Sequence, residues 1–264
     1  MEIKPEFSLI FVNFRSVWYL SLALHKIFAI ERERDLFEVI VVNNDQRETR
    51  ALERLAEQFS FRLVQTKNNL GFGGGANAGA AVARGRIFGF LNPDTEWQHP
   101  MLVQMATSFE EAQQPQLLGL VLTNECGVRE AWSAGVTPSL GRLIMRKCLP
   151  FLGDMTGISV EKPEWTSGGA LFVSREAFQR VAGFDERFFL YFEDVDFCRR
   201  AHKVGIPLVI DARFVILHRG GRSFHSHKSQ KQYYYRSQRY YFAKHRPTVE
   251  GSLLHFFHLL SFHF

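Results

Sequence analysis

A chain of 264 residues that is 46% hydrophobic and 22% charged has an ordinary globular composition, which excludes wholesale disorder. Its length allows either one large α/β domain or two smaller ones. The net charge of +5 indicates no more than an affinity for anions of some kind.

The cysteine content and the lack of long apolar runs limit the cellular compartment that we expect for the protein. The three cysteines lie far apart without a C-x-x-C pair, which excludes a zinc ribbon, provides no disulfide framework and suits a reducing cytoplasm. They are Cys126, Cys148 and Cys198. The first residues, MEIKPEFSLIFVNF, carry acidic residues beside a short apolar run, so they are not predicted to be a signal peptide. No stretch reaches the roughly 18 to 20 apolar residues that span a bilayer.

Strands and helices alternate in the first part of the chain. Short apolar, β-branched runs predict strands at 7–14, 37–42, 61–65 and 87–91. Helices are predicted at 17–30 and 48–59, and a third begins within 69–85. This alternation favours an α/β fold with a largely parallel sheet and helices on its faces.

The rest of the chain gives a less regular pattern. A strand is predicted at 117–123, and 140–155 fits either a helix or a loop. A glycine turn leads into a strand within 165–174, and helices are predicted at 175–182 and 195–204. Two short strands are predicted at 207–210 and 214–217.

Polar residues of similar type end each of the first four predicted strands. They are Asn13, the run Asn43, Asn44 and Asp45, the run Lys67, Asn68 and Asn69, and the run Asn92, Pro93 and Asp94. Ligands of open α/β sheets bind at the carboxyl ends of the strands. The sequence therefore predicts one shared polar site at this edge.

The stretch NLGFGGGANAGAAVARG, residues 69–85, satisfies the dinucleotide fingerprint G-x-G-x-x-G/A. Two features argue against a redox cofactor. Five residues separate the predicted third strand from Gly71, and Asp94, in the place of the ribose carboxylate, follows a proline that turns the chain. Two interpretations are left: glycines that let a helix pack closely on a sheet, or a backbone surface that a nucleotide diphosphate approaches at a helix N-terminus. The second is our prediction.

A cluster of carboxylates lies among aromatic residues in GFDERFFLYFEDVDFCRR, residues 183–200. A carboxylate in such surroundings can have a raised pKa and act as a general base. Alternatively, Asp194 caps the following helix and Asp196 pairs with Arg200 four residues later. That alternative accounts for Asp196, but it does not explain why Glu193 and Asp194 stand side by side after an aromatic run.

Seven segments together resemble the family 2 glycosyltransferases of the GT-A fold, close to the bacterial rhamnosyltransferase-like branch that builds surface polysaccharides. In the order of that family, and within about residues 7–224, they are FVNF, VIVVNND, NNLGFGGGANAG, FLNPDTE, TSGGALFVSREAF, GFDERFFLYFEDVDFCRR and HRGGRSF. The resemblance implies a Rossmann-like, mostly parallel sheet in a catalytic domain, residues 1–224. Residues 1–110 would form its nucleotide-binding half and 111–224 its acceptor-binding half.

The resemblance implies an inverting transfer of a sugar from a nucleotide diphosphate to an acceptor hydroxyl, assisted by a divalent metal. Asp94 would bind Mg²⁺ or Mn²⁺, which prefer oxygen ligands. Asn92 replaces the first aspartate of the metal motif and would touch ribose or a metal-bound water. His218 matches the second protein ligand of the metal, and the alternative for a lone histidine is a satisfied core residue.

The same resemblance assigns the acceptor side of the site. Asp194 would be the catalytic base, and Glu193 would position the acceptor or the base. The turn formed by Trp165, Ser167, Gly168 and Gly169 would face the acceptor, with the indole stacked on a sugar or, alternatively, simply part of the core.

On the donor side, Asn43 stands where the family usually has an aspartate that reads the nucleobase. An amide can still bond a uracil or thymine edge, and Asp45 would share the task. The full set of predicted donor-binding residues is Asn13, Asn43, Asp45, Asn69, Gly71, Phe72, Asn77, Asn92 and Asp94. The expected donor is dTDP-rhamnose, with a UDP-sugar as the other option.

The end of the chain is basic and aromatic. Between Ala212 and Val249 there are nine Lys and Arg, no Asp or Glu, and several tyrosines, and SLLHFFHLLSFHF follows. Such a segment suits a helix on an anionic membrane, a helix packed on the domain, or single-stranded nucleic acid. We predict that residues 225–264 form a helical extension that associates with the membrane, and we disfavour nucleic acid.

These expectations combine into an enzyme at the cytoplasmic face of the bacterial cell membrane. It would extend a glycan, lipid-linked in our prediction, during the synthesis of cell-surface polysaccharide, and a homodimer is left open. The alternative is a non-catalytic module that binds sugar nucleotides or glycans through a degenerate site, motivated by Asn43 and Asn92.

Overall fold

The computed structural model describes residues 4–131, 133–148, 163–220 and 227–261. The strands are β1 (Phe7–Asn13), β2 (Phe37–Asn43), β3 (Arg62–Gln65), β4 (Ile87–Leu91), β5 (Thr95–Trp97), β6 (Leu117–Thr123), β7 (Ala134–Gly135), β8 (Trp165–Thr166), β9 (Ala170–Ser174) and β10 (Leu208–His218). The helices are α1 (Val17–Ile30), α2 (Thr49–Gln58), α3 (Gly71–Val82), α4 (Leu102–Glu111), α5 (Leu140–Cys148), α6 (Arg175–Arg180), α7 (Glu193–Lys203), α8 (His227–His245) and α9 (Thr248–Ser261).

A mixed, mostly parallel sheet organises the fold, as the sequence predicted. Its strand order is β3-β2-β1-β4-β9-β6-β10-β5, and β7 pairs with β8 in a second small sheet. The first four strands of this order are parallel, whereas β9 runs antiparallel to both β4 and β6. Strand order reverses between β1 and β4, which is where ligands of such sheets bind.

The predicted elements of the first half are confirmed with small shifts at their ends. Helix α1 and strands β4 and β6 have the predicted bounds. The ambiguous segment 140–155 is a helix to Cys148, and 149–155 lies outside the described residues. The two short strands predicted near the end of the domain are one continuous strand, β10. Its pairing with β6 is interrupted by a register shift between Ile210 and Val215, at the place where the sequence predicted a break.

Close packing explains the glycines of α3. A methyl group on Gly75 would lie 2.6 Å from Val12, and one on Gly79 would lie 2.5 Å from Ile10. Both partners are on β1, so the absence of side chains lets α3 approach the sheet. The packing interpretation of the glycine-rich stretch is therefore correct for these positions.

Two hydrophobic layers cover the sheet, and a third cluster attaches the C-terminal helices. One layer packs α1, α2 and α4 on one face, and the other packs α3, α6 and α7 on the opposite face. The third cluster consists of Leu140, Phe188, Phe192, Val195, Tyr241, Phe242 and Leu254.

Helix α8 consequently packs on the domain, with the side chains of Tyr241 and Phe242 fully buried. For α8, the basic-aromatic segment therefore follows the alternative in which a helix packs on the domain. Helix α9 differs, because Val249 and Leu253 are 69% and 44% exposed. Within the described segments, no helix combines the length and apolar character needed to cross a membrane.

Candidate active site

Asn13 and Asn43 lie side by side because β1 and β2 end in register. The Asn13 amide donates to Glu48 at 2.8 Å, and the Asn43 amide donates to Thr49 at 3.2 Å and to Gln65 at 3.0 Å. Both asparagines are buried. Their amides already have protein partners, so a nucleobase that bonds the Asn43 NH₂ group must displace one of them.

A cleft of about 610 Å³ opens beside these strand ends. Its walls are Gln46, Thr49, Arg50, Glu53, Gln65, Thr66 and Lys67. Two of these residues, Thr49 and Gln65, are the hydrogen-bond partners of Asn43. The volume is in the range of small-molecule sites, but the cleft is shallow and wide open to solvent.

Asp45 holds two guanidinium groups at the same edge. It accepts hydrogen bonds from Arg15 at 3.1 Å and from Arg47 at 2.8 Å. The hydrogen bonds from Arg47 are the main reason that the pKa of Asp45 falls to about 2. Asp45 is therefore ionised at neutral pH and places two cations where an anionic donor would arrive.

The first turn of α3 has protein partners for two of its amide groups. Asn69 Oδ1 accepts from the Gly71 N–H at 2.9 Å, and the Phe189 carbonyl accepts from the Phe72 N–H at 3.0 Å. These two of the four N–H groups at a helix start are thus already bonded. Further along α3, the Asn77 side chain donates to the Phe184 carbonyl and accepts from the Phe184 N–H, each at 2.9 Å. These two bonds give Asn77 a structural role.

Asp94 and His218 come together from distant parts of the chain, because β5 pairs with β10. His218 Nε2 lies 3.4 Å from Asp94 Oδ1, and His218 Nδ1 lies 2.8 Å from Glu130 Oε2. Burial by itself lowers the pKa of His218, but the two carboxylates raise it to about 9. Without a metal ion the ring therefore favours its protonated form, and a metal ion bound at Nε2 would have to displace that proton.

This donor set fits a divalent cation that takes its remaining ligands from a diphosphate and water. Asp94 offers a hard oxygen and His218 a ring nitrogen, while Glu130 on the other ring nitrogen would fix the tautomer. Within the described parts of the chain, no group of three or more His, Cys, Asp or Glu is arranged to hold an ion without such help.

Glu193, which is buried, and Asp194, which is half-buried, begin helix α7 as a carboxylate pair. Asp194 Oδ2 accepts from the Gly168 N–H at 3.0 Å, and Oδ1 accepts from the Val195 N–H at 2.8 Å. In the described part of the chain, Glu193 Oε2 is buried without a hydrogen-bond partner. Such an atom is costly to bury and calls for an explanation, such as a catalytic role or a bound water.

The pKa values of both carboxylates are raised. Burial raises the pKa of Glu193 well above its ordinary value, and the charge of Asp194 raises it further. Burial also raises the pKa of Asp194, although the N–H groups of Gly168 and Val195 oppose the shift. Ionisation of Asp194 therefore disfavours ionisation of Glu193.

Of the two structural alternatives for the acidic cluster, the ion pair of Asp196 is present and the helix cap by Asp194 is not. Asp196 pairs with Arg200 at 2.7 Å, as the alternative predicted. Asp194 is not the helix cap, because Phe192 occupies that position and Asp194 lies inside the first turn.

One turn connects Asn92, which follows β4, to Asp194. The Gly169 carbonyl accepts from the Asn92 N–H at 3.0 Å, and the next residue back, Gly168, donates to Asp194. Neither glycine has room for a side chain: a methyl on Gly169 would lie 2.6 Å from Asn92, and one on Gly168 would lie 3.0 Å from Phe72. Asn92, a predicted donor residue, and Asp194, the predicted base, are therefore bonded to the same turn.

The other two acceptor residues have local partners. The Ser167 hydroxyl accepts from the Gly169 N–H at 3.2 Å. The Trp165 indole donates to the Val136 carbonyl at 3.0 Å and packs against the hydrophobic core, as its alternative predicted.

Sequence reasoning missed Glu130 and the residues of α8 that touch the segment before α7. Glu130 lies in a stretch without regular periodicity. The contacts of the α8 residues could not be predicted, because their basic-aromatic pattern fits several environments. The roles of these residues depend on tertiary contacts, which the spacing of residues along the sequence does not reveal.

Two solved structures with similar folds contain bound nucleotide sugars. A mannosyltransferase from Pyrobaculum calidifontis, in complex with GDP-Man and Mn²⁺, matches with a TM-score of 0.64 and 16% identity over 96% of this chain and 68% of that one. TarS of S. aureus, in complex with UDP-GlcNAc, matches with a TM-score of 0.58 and 17% identity over 89% of this chain and 64% of that one. At these identities the likeness shows the fold.

Sequence relatives add two rhamnosyltransferases. The N-acetylglucosaminyl-diphospho-decaprenol L-rhamnosyltransferase of Mycobacterium tuberculosis is 29% identical, with 75% of each chain covered. Rhamnosyltransferase WbbL of Escherichia coli is 24% identical, with 70% of this chain and 76% of the relative covered. The model of glycosyl transferase family 2 matches residues 8–158, more than half of the chain. Together with the GT-A-type sheet, this match shows that the chain belongs to glycosyl transferase family 2.

Proposed function

We propose that this glycosyltransferase is an inverting enzyme that moves a sugar from a nucleotide diphosphate to a glycan hydroxyl, with Asp194 as the general base. The observation that carries the proposal is the Gly168–Gly169 turn, which connects Asn92, at the end of β4, to Asp194 of the carboxylate pair. It supports a site in which donor and acceptor meet between Asp94 and Asp194.

The carboxylate pair supplies the proton chemistry. The acceptor hydroxyl attacks the anomeric carbon opposite the diphosphate, a new C–O bond forms, and the bond to the diphosphate oxygen breaks. Asp194 takes the hydroxyl proton, and a pKa raised by burial makes its carboxylate a stronger base than an exposed aspartate. Glu193, with its unpaired oxygen, would position the acceptor.

Asp94 and His218 would hold a divalent cation, Mg²⁺ or Mn²⁺. When bound, such an ion stabilises the negative charge of the departing diphosphate. Glu130 would keep the His218 ring oriented toward Asp94. Arg15 and Arg47 would add positive charge at the donor entrance.

The donor we propose is dTDP-L-rhamnose, with a UDP-sugar as the other option. Support comes from the two relatives that are rhamnosyltransferases. The acceptor we propose is a lipid-linked glycan, since the mycobacterial relative is named for a diphospho-decaprenol substrate. Exposed Val249 and Leu253 on α9 would face an anionic membrane, at the cytoplasmic side of the cell membrane.

The test is a screen of nucleotide sugars, including dTDP-rhamnose and UDP-sugars, with Mn²⁺ or Mg²⁺, followed by Asp194→Asn. We expect the variant to lose at least about 100-fold in turnover, the range for removing a general base, while donor affinity by calorimetry is unchanged. Asp211→Asn, at a surface ion pair with Arg213, is the matched control and should keep full activity.

Two outcomes would contradict the proposal. One is a wild-type protein that binds and hydrolyses no donor with either metal. The other is donor binding without turnover, which would favour the non-catalytic module. Metal binding is tested separately by Mn²⁺ titration in electron paramagnetic resonance, where His218→Ala should weaken binding.

A further inference from the structure

Two consecutive aromatic residues with left-handed backbones precede the carboxylate pair. Tyr191 has φ of 66° and Phe192 has φ of 67°. Bulky side chains rarely adopt this region, and such a conformation persists only where the surroundings enforce it. The conformation of these two residues determines where α7 begins and therefore where Glu193 and Asp194 point.

Helix α8 supplies polar contacts to this segment. The Ser237 hydroxyl donates to the Leu190 carbonyl at 2.7 Å, and the Gln230 amide donates to the Tyr191 hydroxyl at 2.8 Å. Ser237 is 4% exposed, so its hydrogen bond is shielded from water. Each bond reaches the segment directly before the carboxylate pair.

Aromatic contacts from the same helix enclose the two residues. The Tyr234 ring lies 5.9 Å from that of Tyr191 and 5.3 Å from that of Phe192, measured between centroids. The Tyr241 ring lies 5.5 Å from that of Phe192. The left-handed pair is thus packed from the α8 side.

A buried ion network fixes the two ends of the segment to α8. Lys244 Nζ lies 2.6 Å from Asp185, before the segment, and 2.6 Å from Asp196, within α7 after it. His245 Nε2 also lies 2.6 Å from Asp196. The Asp196 side chain is fully buried, and Lys244 and His245 share the compensation of its charge with Arg200 of α7.

We infer that α8 is part of the active site and that Ser237 and Gln230 are positioning residues, which hold residues 190–192 so that Glu193 and Asp194 face the acceptor. The inference rests on the proposed role of that carboxylate pair. It also means that residues 227–245 belong to the catalytic unit and are not a detachable extension.

The first test compares Ser237→Ala with Ser237→Thr in the full chain. We expect the alanine variant to lose about tenfold in kcat with the donor KM within twofold, and the threonine variant to recover most of the loss. Exposed Ser252→Ala on α9 is the matched control and should leave both constants unchanged. Donor-binding stoichiometry measures the folded fraction, so a loss of kcat at full stoichiometry is positional.

The second test is a double-mutant cycle that needs no change in the buried core of α8. Gln230→Met and Tyr191→Phe remove the same hydrogen bond from its two sides. We expect each to lower kcat by about threefold to fivefold, and the double variant to lose no more than either single variant.

Unchanged kcat in Ser237→Ala and in the cycle would overturn the inference, as would a loss that matches a reduced folded fraction. These results are distinguishable from failure of the proposed function. If the function is wrong, the wild type has no turnover or Asp194→Asn keeps it. If only the inference is wrong, Asp194→Asn is inactive while the α8 variants remain fully active.

Discussion

Replacing Gly71 by alanine should destabilise the protein much more than the same change at Gly127, although both have φ of +73°. A left-handed alanine costs about 1 to 2 kcal/mol at either position. At Gly127 nothing lies within 4 Å of an added methyl group. At Gly71 the methyl carbon would lie 2.0 Å from the carbonyl oxygen of Phe189.

The clash at Gly71 is with backbone, which cannot rotate away. Relief requires Phe189 to move, and that movement lengthens the 3.0 Å hydrogen bond from the Phe72 N–H. Overpacking costs about 1 to 3 kcal/mol, and loss of the hydrogen bond costs about 1 kcal/mol. The expected excess over Gly127→Ala is therefore about 2 to 4 kcal/mol.

Urea unfolding of the two variants and the wild type measures this difference. Thermal unfolding provides a second measurement. At roughly 2 to 4 °C per kcal/mol for a domain of this size, the melting temperature of Gly71→Ala should lie about 4 to 16 °C below that of Gly127→Ala. Equal stabilities would refute the argument, because they would mean that Phe189 yields without cost.

Three further predictions concern groups away from the carboxylate pair. The native protein should react with a thiol reagent at exposed Cys126 but not at Cys198, because burial raises the pKa of the Cys198 thiol to about 12. Arg175→Met should lower the free energy of unfolding by about 1.5 to 3 kcal/mol, because the guanidinium donates to backbone carbonyls that follow α3. Arg47 holds the pKa of Asp45 at about 2, below its ordinary 3.8, so Asp45 stabilises the protein above that range and loses this effect as pH falls through it. The stability difference between wild type and Asp45→Asn should therefore shrink between pH 3.8 and about 2, measured by urea unfolding.

Controls for these three experiments separate the named cause from general damage. Cys198 should react once the protein is unfolded in denaturant. Arg213→Met removes an arginine that is 64% exposed and should change stability little. The Asp45 effect should weaken at high salt, because Arg47 is 70% exposed and its charge is screened. Labelling of native Cys198, equal losses at Arg175 and Arg213, or a pH-independent Asp45 difference would contradict the respective argument.

Much of the candidate site could be predicted from the sequence because the strand ends carry their own signals. Asn43 and Asp94 follow apolar runs, and parallel strands bring such ends to one edge. The acidic pair at the start of α7 was visible as a cluster among aromatic residues. What the sequence did not show is the state of these groups: the Asn43 amide is already bonded to Thr49 and Gln65.

Local periodicity by itself determined the alternation of strands and helices, because it depends on neighbours a few residues apart. The motifs and their order along the chain carried the resemblance to the family. Tertiary structure alone decided which distant groups meet. The crossovers that put β9 between β4 and β6, and β10 beside β5, bring His218 to Asp94 and Glu130. Likewise, the basic-aromatic segment fitted a membrane as well as a protein surface, and buried contacts with Asp196 show that α8 packs against the domain. Such pairings depend on the path of the whole chain, which no short window of sequence contains.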